Sequence, residues 1–328
     1  MFLFFNLLFF IIRLIRSRKN RLKKVHEIIQ NYKIDLIHCD FLFGLNSLRI
    51  FNVPISYNAH NIESEYARKI GFYSWKKIPK ILRFLYIKFI YYLEKFGVKL
   101  ASNINAISQE ERRELIEIFG LNEDKVIVSG LGYKKDIYNK QISKTEARKN
   151  LKIPKNKFII IFHGSYNVNF ANKETIDLIK DYIAPRIKDD SILFLIAGSM
   201  PRFEDQRNVK FLGFIKELTD FLYCADIAIA PILRGTGINT KMIDYLSGRV
   251  PIISTEKAVE GLIFQHEVHG FIVSNIMTDT IKYIYYLKGN PKILQVIKNN
   301  ITNLVESKYN WGKILKKVEK RYLRLSEI

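Results

Sequence analysis

Short runs of apolar and β-branched residues recur along the chain with polar or mixed stretches between them. The first series is DLIHCD (35–40), VPISYNAH (53–60), NINAIS (103–108) and KVIVSG (125–130). A second begins at KFIIIFHG (157–164) and continues through SILFLIAG (191–198), NVKFLG (208–213), DIAIAP (226–231), VPIIST (250–255) and GFIVSN (270–275). Continuous apolar runs of this kind, alternating with segments of helical spacing, predict parallel strands covered on both faces. Two such series in tandem predict an α/β chain of two doubly wound domains. The polar, lysine-rich stretch from Tyr133 to Lys157 separates them, giving an N-terminal domain over 1–134 and a second over 135–307. A final helix over 308–328 could cross back to the first domain. A long helix is expected from about Lys77 to Leu100. Another is expected to start at Pro291, a residue suited to a first helical position, with a break near Lys308–Trp311. No short-period repeat or low-complexity segment interrupts this order.

Composition fits the picture: 328 residues, 48% apolar and 26% charged, suit two globular domains with their own cores. Two cysteines, Cys39 and Cys224, are too few for a disulfide framework and point to a reducing, cytoplasmic setting. No apolar run reaches the length needed to span a bilayer. Charge adds a constraint. The net formal charge is +21, and residues 13–24 hold seven Lys or Arg and no acid. A field of that sign draws anionic partners. Nucleic acid is disfavoured, because no basic aromatic recognition motif accompanies the charge. The apolar start, MFLFFNLLFFII, is no signal peptide, since its charge follows the apolar part and no cleavage site appears. It reads equally as an interfacial helix with Arg13, Arg16 and Arg18 at headgroup level or as a helix buried on the first domain. The stretch 72–96 mixes aromatics with Lys and Arg, which suits either an anionic membrane surface or packing on the first sheet.

The densest chemistry lies in GTGINTKMIDYLSGRVPIIST (235–255). Ligands of open parallel sheets sit beyond the carboxyl ends of strands, and this stretch follows the expected strand DIAIAP. Gly235 and Gly237 let the backbone approach a ligand. A helix entering at about Ile238–Thr240 turns its unpaired amides into the loop, a setting suited to phosphate. Lys241 adds a cation, Asp244 lies one turn on and could accept from ribose hydroxyls, and Gly248 would cap the helix. A tight loop with an exposed lysine and a surface aspartate has the same local pattern, so these residues alone leave both readings open. HEVH (266–269) lacks the order and third ligand of a metal site and reads as a polar turn. His38 and Cys39 are expected to fill the end of their strand.

The run P-x3-G-T-G-x3-K-x2-D-x3-G-x2-P-I-I-S-T, followed by AVEGL (258–262), resembles the donor site of family four GT-B glycosyltransferases. Similar pieces follow in family order: NAHNIESEY (58–66), AISQEER (106–112), GLGYKKDIY (130–138), FHGSYNVNFAN (162–172) and FLGF (211–214). The resemblance covers about residues 30–328. It implies a GT-B fold, two Rossmann-like domains facing a cleft, with the first truncated, since relatives begin with a further strand and glycine-rich loop. By the same resemblance, Gly164 and Ser165 would offer amides to a diphosphate. Gly235, Thr236 and Gly237 would line phosphates and donor sugar, Lys241 would neutralise the leaving group and Asp244 would hold the ribose. His60 would face the donor sugar with Asn61 and Glu63 beside it; His163, Asn172 and Glu260 are further candidates. Two departures stand out. Where many relatives carry two glutamates with seven residues between them this chain has Thr236 and Asp244, and the early Arg-and-Lys phosphate pair is not evident.

The implied activity is retaining transfer from a nucleotide-diphosphate sugar to a lipid-linked or surface-glycan acceptor, such as a polyprenyl-linked one. It would use no metal and no cofactor, with the protein peripheral at the inner membrane face on an anionic surface. An inactive or partner-dependent GT-B subunit and a GT-B-shaped epimerase are the alternatives; the epimerase calls for cleft carboxylates that the sequence does not display.

Overall fold

The computed structural model describes residues 22–40, 42–45, 52–74, 79–140, 142–167, 169–235 and 237–326. The apolar start with Arg13, Arg16 and Arg18, and Thr236 of the glycine loop, lie outside the described residues. The chain forms two compact units, Met1–Ser129 with Lys316–Ile328, and Gly130–Leu315.

The sheet of the first unit has four parallel strands in chain order: β1 (Ile37–Cys39), β2 (Ile55–Asn58), β3 (Asn103–Ala106) and β4 (Val126–Val128). Ile55, Tyr57, Ile104 and Val126 are buried, as expected of strands covered on both faces. The alternation within NINA is different in kind, because Asn103 and Asn105 are buried polar groups on one face of β3. Both donate to Ser56 Oγ, at 3.0 and 3.2 Å, and Asn105 also donates to Tyr322 Oη at 3.0 Å. Arg321 Nε donates to Asn103 Oδ1 at 2.9 Å. Residues of the final helix, Trp311–Ser326, thus satisfy polar groups of this sheet. The helix Gln109–Phe119 opens on a capping box, with Ser108 Oγ accepting from Glu111 N–H and Glu111 accepting from Ile107 N–H.

The second unit carries six parallel strands: β5 (Phe158–His163), β6 (Ile192–Ala197), β7 (Val209–Gly213), β8 (Ile227–Ala230), β9 (Ile252–Thr255) and β10 (Gly270–Val273). Their spatial order is β10-β9-β8-β5-β6-β7. The chain therefore winds outward from β5 through β6 and β7, then returns to start again from β8 in the opposite direction. This is the doubly wound Rossmann pattern, and the reversal lies between β5 and β8. Ile159, Ile160, Ile161 and Phe162 of β5 are buried at the centre of the core. The helix Pro291–Lys308 begins on its proline, and a break at Tyr309–Asn310 precedes the last helix.

Candidate functional site

β5 and β8 lie side by side, and the chain leaves their carboxyl ends in opposite directions. Loops that part in this way open a crevice above the sheet. The loop after β5 carries Gly164 and Ser165 and leads into the helix Phe170–Leu178. The loop after β8 carries Gly235 and Gly237 and leads into the helix Thr240–Ser247. Asn239 holds the cap position of that helix without a side-chain hydrogen bond; Met242 N–H donates to Asn239 O at 2.9 Å, which leaves the amides of Thr240 and Lys241 for the loop. Gly237 takes a left-handed φ of 64°, which favours glycine there.

After its exposed first residue, the helix Thr240–Ser247 is buried from Lys241 onward, charged residues included. Lys241 Nζ donates to Asn172 Oδ1 at 2.7 Å and lies 5.2 Å from the centre of the Phe162 ring. Burial pulls its pKa down to about 8, against the opposing pull of the Asp244 carboxylate. Asp244 is itself buried: Oδ2 is hydrogen-bonded with His163 Nε2 at 3.1 Å, and Oδ1 accepts no hydrogen bond but is ion-paired with Lys134, 2.7 Å from its Nζ. Since a carboxylate only accepts, His163 Nε2 carries a proton. His163 N–H donates to Tyr245 Oη at 3.1 Å, which ties the end of β5 to the same helix. Lys134 N–H donates to Ser247 Oγ at 3.0 Å, so the backbone of Lys134 is fixed where that helix ends.

Two family models match the chain. One, described as glycosyl transferases group 1, matches residues 157–286; the other, described as glycosyltransferase family 4, matches residues 5–133. The chain belongs to the group 1 glycosyltransferases. Among solved structures, sucrose-phosphate synthase of Thermosynechococcus elongatus is similar at a TM-score of 0.72 and 17% identity, covering 95% of this chain and 79% of its own. A glycosyltransferase of Rickettsia africae is similar at 0.69 and 16%, covering 93% and 80%. The Anabaena protein HepE in complex with UDP-glucose is similar at 0.68 and 17%, covering 94% and 82%. At these identities the likeness is one of fold, GT-B. No curated protein sequence matches the chain.

In this glycosyltransferase the structure brings His163, Gly164, Ser165, Asn172, Lys241 and Asp244 together at the reversal point of the second sheet. One expectation about them is corrected. Gly164 N–H donates to Ala197 O at 2.9 Å, so its amide serves the sheet and is not offered to a diphosphate. Its missing side chain makes room for Asn172, whose Cγ would stand 2.7 Å from an added Cβ. Ser165, by contrast, has neither N–H nor Oγ hydrogen-bonded among the described residues. Of the two local readings of this stretch, the exposed lysine is excluded: Lys241 is a buried cation held by Asn172. Gly248 caps the helix as expected, its N–H donating to Asp244 O at 3.0 Å, with an ordinary φ of −81°; the left-handed residue is Arg249, at 54°. What Gly248 provides is space, because a Cβ there would fall 2.8 Å from Leu222 Cβ.

The remaining candidates of the glycosyltransferase lie elsewhere. His60, Asn61 and Glu63 belong to the first unit, just beyond the carboxyl end of β2. His60 Nε2 is 3.6 Å from Asp40 Oδ1, and burial raises the pKa of Glu63 while His60 opposes the rise. Glu260 pairs with Lys257. His38 does not fill the end of its strand; its imidazole is part-exposed and reaches Tyr322 Oη at 2.7 Å and Asp40 at 3.1 Å. His266 and His269 of HEVH each accept a backbone N–H through Nδ1, from Ile272 and Gln265 respectively. No cluster of metal-ligating side chains occurs among the described residues. Lys134, seated on Asp244, escaped the sequence reading. Its segment reads as a crossing between domains, and an ion pair between positions so far apart leaves no local pattern.

Proposed function

We propose that this glycosyltransferase moves a sugar, with retention at the anomeric carbon and without a metal, from a nucleotide-diphosphate sugar to a lipid-linked or surface-glycan acceptor. The observation that carries the reading is the convergence of Asp244, Lys241 and Ser165 at the reversal point between β5 and β8. The ribose hydroxyls would donate to Asp244, and the diphosphate would lie against the first-turn amides of the helix Thr240–Ser247 and the free amide of Ser165. Lys241, one turn nearer the helix start, would offset the charge that builds on the departing phosphate. Preorganised amides and a cation in a poorly hydrated site favour charge that develops late in the reaction over charge already solvated. Replacing Lys241 by Ala is then expected to cost on the order of 2–4 kcal/mol in transition-state stabilisation.

The first unit would serve the acceptor, with His60 as its candidate group. We further propose that the protein is peripheral at the cytoplasmic membrane face. The helix Lys80–Leu100 buries Ile90, Gly97 and Val98 but leaves Ile81, Phe84, Leu85, Phe89 and Tyr92 exposed among Lys80, Lys88, Lys95 and Lys99. Apolar side chains interleaved with lysines suit an interface with anionic lipid. Among the described residues, no helix is long and apolar enough to cross a membrane.

Calorimetry against UDP, GDP and ADP tests the donor reading, with UDP first because the Anabaena relative holds it. One diphosphate should bind, and Asp244→Asn should weaken it about tenfold or more, the loss expected for hydrogen bonds to a charged group. No heat with any of the three would defeat the proposal.

A further inference from the structure

Asp244 is the most crowded carboxylate of the site. It is buried, and its two oxygens face His163 and Lys134. These neighbours differ in freedom. His163 is fixed by its backbone bond to Tyr245 and by the edge of its ring against the Tyr245 ring, at 5.0 Å between centres. Lys134 is anchored only at its backbone, on Ser247, and its side chain is 54% exposed. The other cation of the helix, Lys241, is buried against Asn172 and Phe162. Of the two lysines, Lys134 is therefore the one whose ammonium can change partners without disturbing the core.

A nucleotide that binds here, on the donor reading given above, brings two kinds of group to the same place. Its ribose hydroxyls donate, and need the Asp244 oxygen that Lys134 now faces. Its phosphates are anionic and attached to the same sugar, within about one helical turn, 5 Å, of those hydroxyls. A four-carbon stem carrying a compact point charge covers such a distance by rotamer change alone.

We propose that Lys134 is a second cation of the donor site, one that leaves Asp244 for the diphosphate when the ribose takes over the carboxylate. The exchange leaves neither charge unpartnered: the carboxylate trades an ammonium for neutral hydroxyl donors, and the ammonium trades a carboxylate for a phosphate. It follows that Lys134 opposes binding of the ribose and favours binding of the phosphates. Such a split is not expected of a residue that merely supports the fold.

The test compares affinities for UDP, GDP and ADP with those for uridine, guanosine and adenosine, in the full chain and in Lys134→Met and Lys134→Arg. Calorimetry suits the diphosphates and ligand-observed NMR competition suits the nucleosides. For the base that the unsubstituted protein prefers, Lys134→Met should weaken the diphosphate about tenfold, the loss of one charge-assisted bond. The nucleoside should bind that variant equally well or more tightly, and Lys134→Arg should restore most of the diphosphate affinity. Equal weakening of diphosphate and nucleoside would overturn the assignment in favour of a structural role. Unchanged diphosphate affinity in Lys134→Met would overturn it while leaving the donor site standing. Failure of the unsubstituted protein to bind any of the three diphosphates would overturn both.

Discussion

Lys241 shows how a single side chain can be set by its surroundings. With its pKa drawn down to about 8 by burial, it carries its full charge near pH 7 and loses it over the next two units. A diphosphate needs the protonated form. Affinity for the nucleotide should therefore be flat below pH 7 and fall as the pH rises from 7 to 9, by up to about tenfold per unit above 8. Calorimetry across that range checks it, and in Lys241→Met the slope should disappear. Gly248 makes a separate prediction. Its backbone is unstrained but Leu222 fills the space beside it, so Gly248→Ala should destabilise the protein by about 1–3 kcal/mol through overpacking, read from urea denaturation. The sequence showed a glycine that would cap the helix, and it does. The sequence could not show that Leu222, on another helix, lies against that position. For the same reason Asp244 and Lys241 were legible as chemistry, from glycines, a lysine and an acid at helical spacing, while Asn172 and Lys134 as their partners were not.

Strands were the most legible elements, because a strand buried on both faces must be apolar at nearly every position, and all ten apolar runs contain one. Helix boundaries were read from their end residues. Pro291 does begin a helix, and Ser108 with Glu111 closes the box that starts another. That box has an energetic consequence. Glu111 is buried, and desolvation pushes its pKa up to about 7 despite the bond from Ile107 N–H. The unfolded chain ionises this carboxyl first, near the ordinary value of 4.5, while the folded chain keeps the proton. Its contribution is thus fully present below pH 4.5 and is lost as the pH rises towards 7 and beyond. Glu111→Gln keeps an acceptor for Ile107 and abolishes the titration. The variant should gain about 2–3 kcal/mol relative to the unsubstituted protein between pH 5 and pH 8, seen as a rising urea midpoint. A constant offset between the two proteins across that range would contradict this account.

Across the molecule, the surplus of 53 Lys and Arg over 32 Asp and Glu makes any membrane contact dependent on lipid charge. Flotation with phosphatidylglycerol vesicles should recover the protein, neutral phosphatidylcholine vesicles should not, and raised salt should release it. Phe84→Asp with Phe89→Asp should lower recovery even on anionic vesicles, because both side chains are exposed on the helix Lys80–Leu100; undiminished recovery would remove that helix from the proposal. The tandem series of strands made two units legible. The polar face of β3 carried no such message, since two asparagines in a strand do not announce that a tyrosine and an arginine from the far end of the chain complete them. That closure sets an order of assembly during synthesis. Residues Gly130–Leu315 contain everything the second unit needs and can settle as soon as they leave the ribosome. The first unit, made earlier, must wait with Asn103 and Asn105 unsealed until Arg321 and Tyr322, which follow the whole second unit in the chain, arrive to cover them. The half that is born first is finished last.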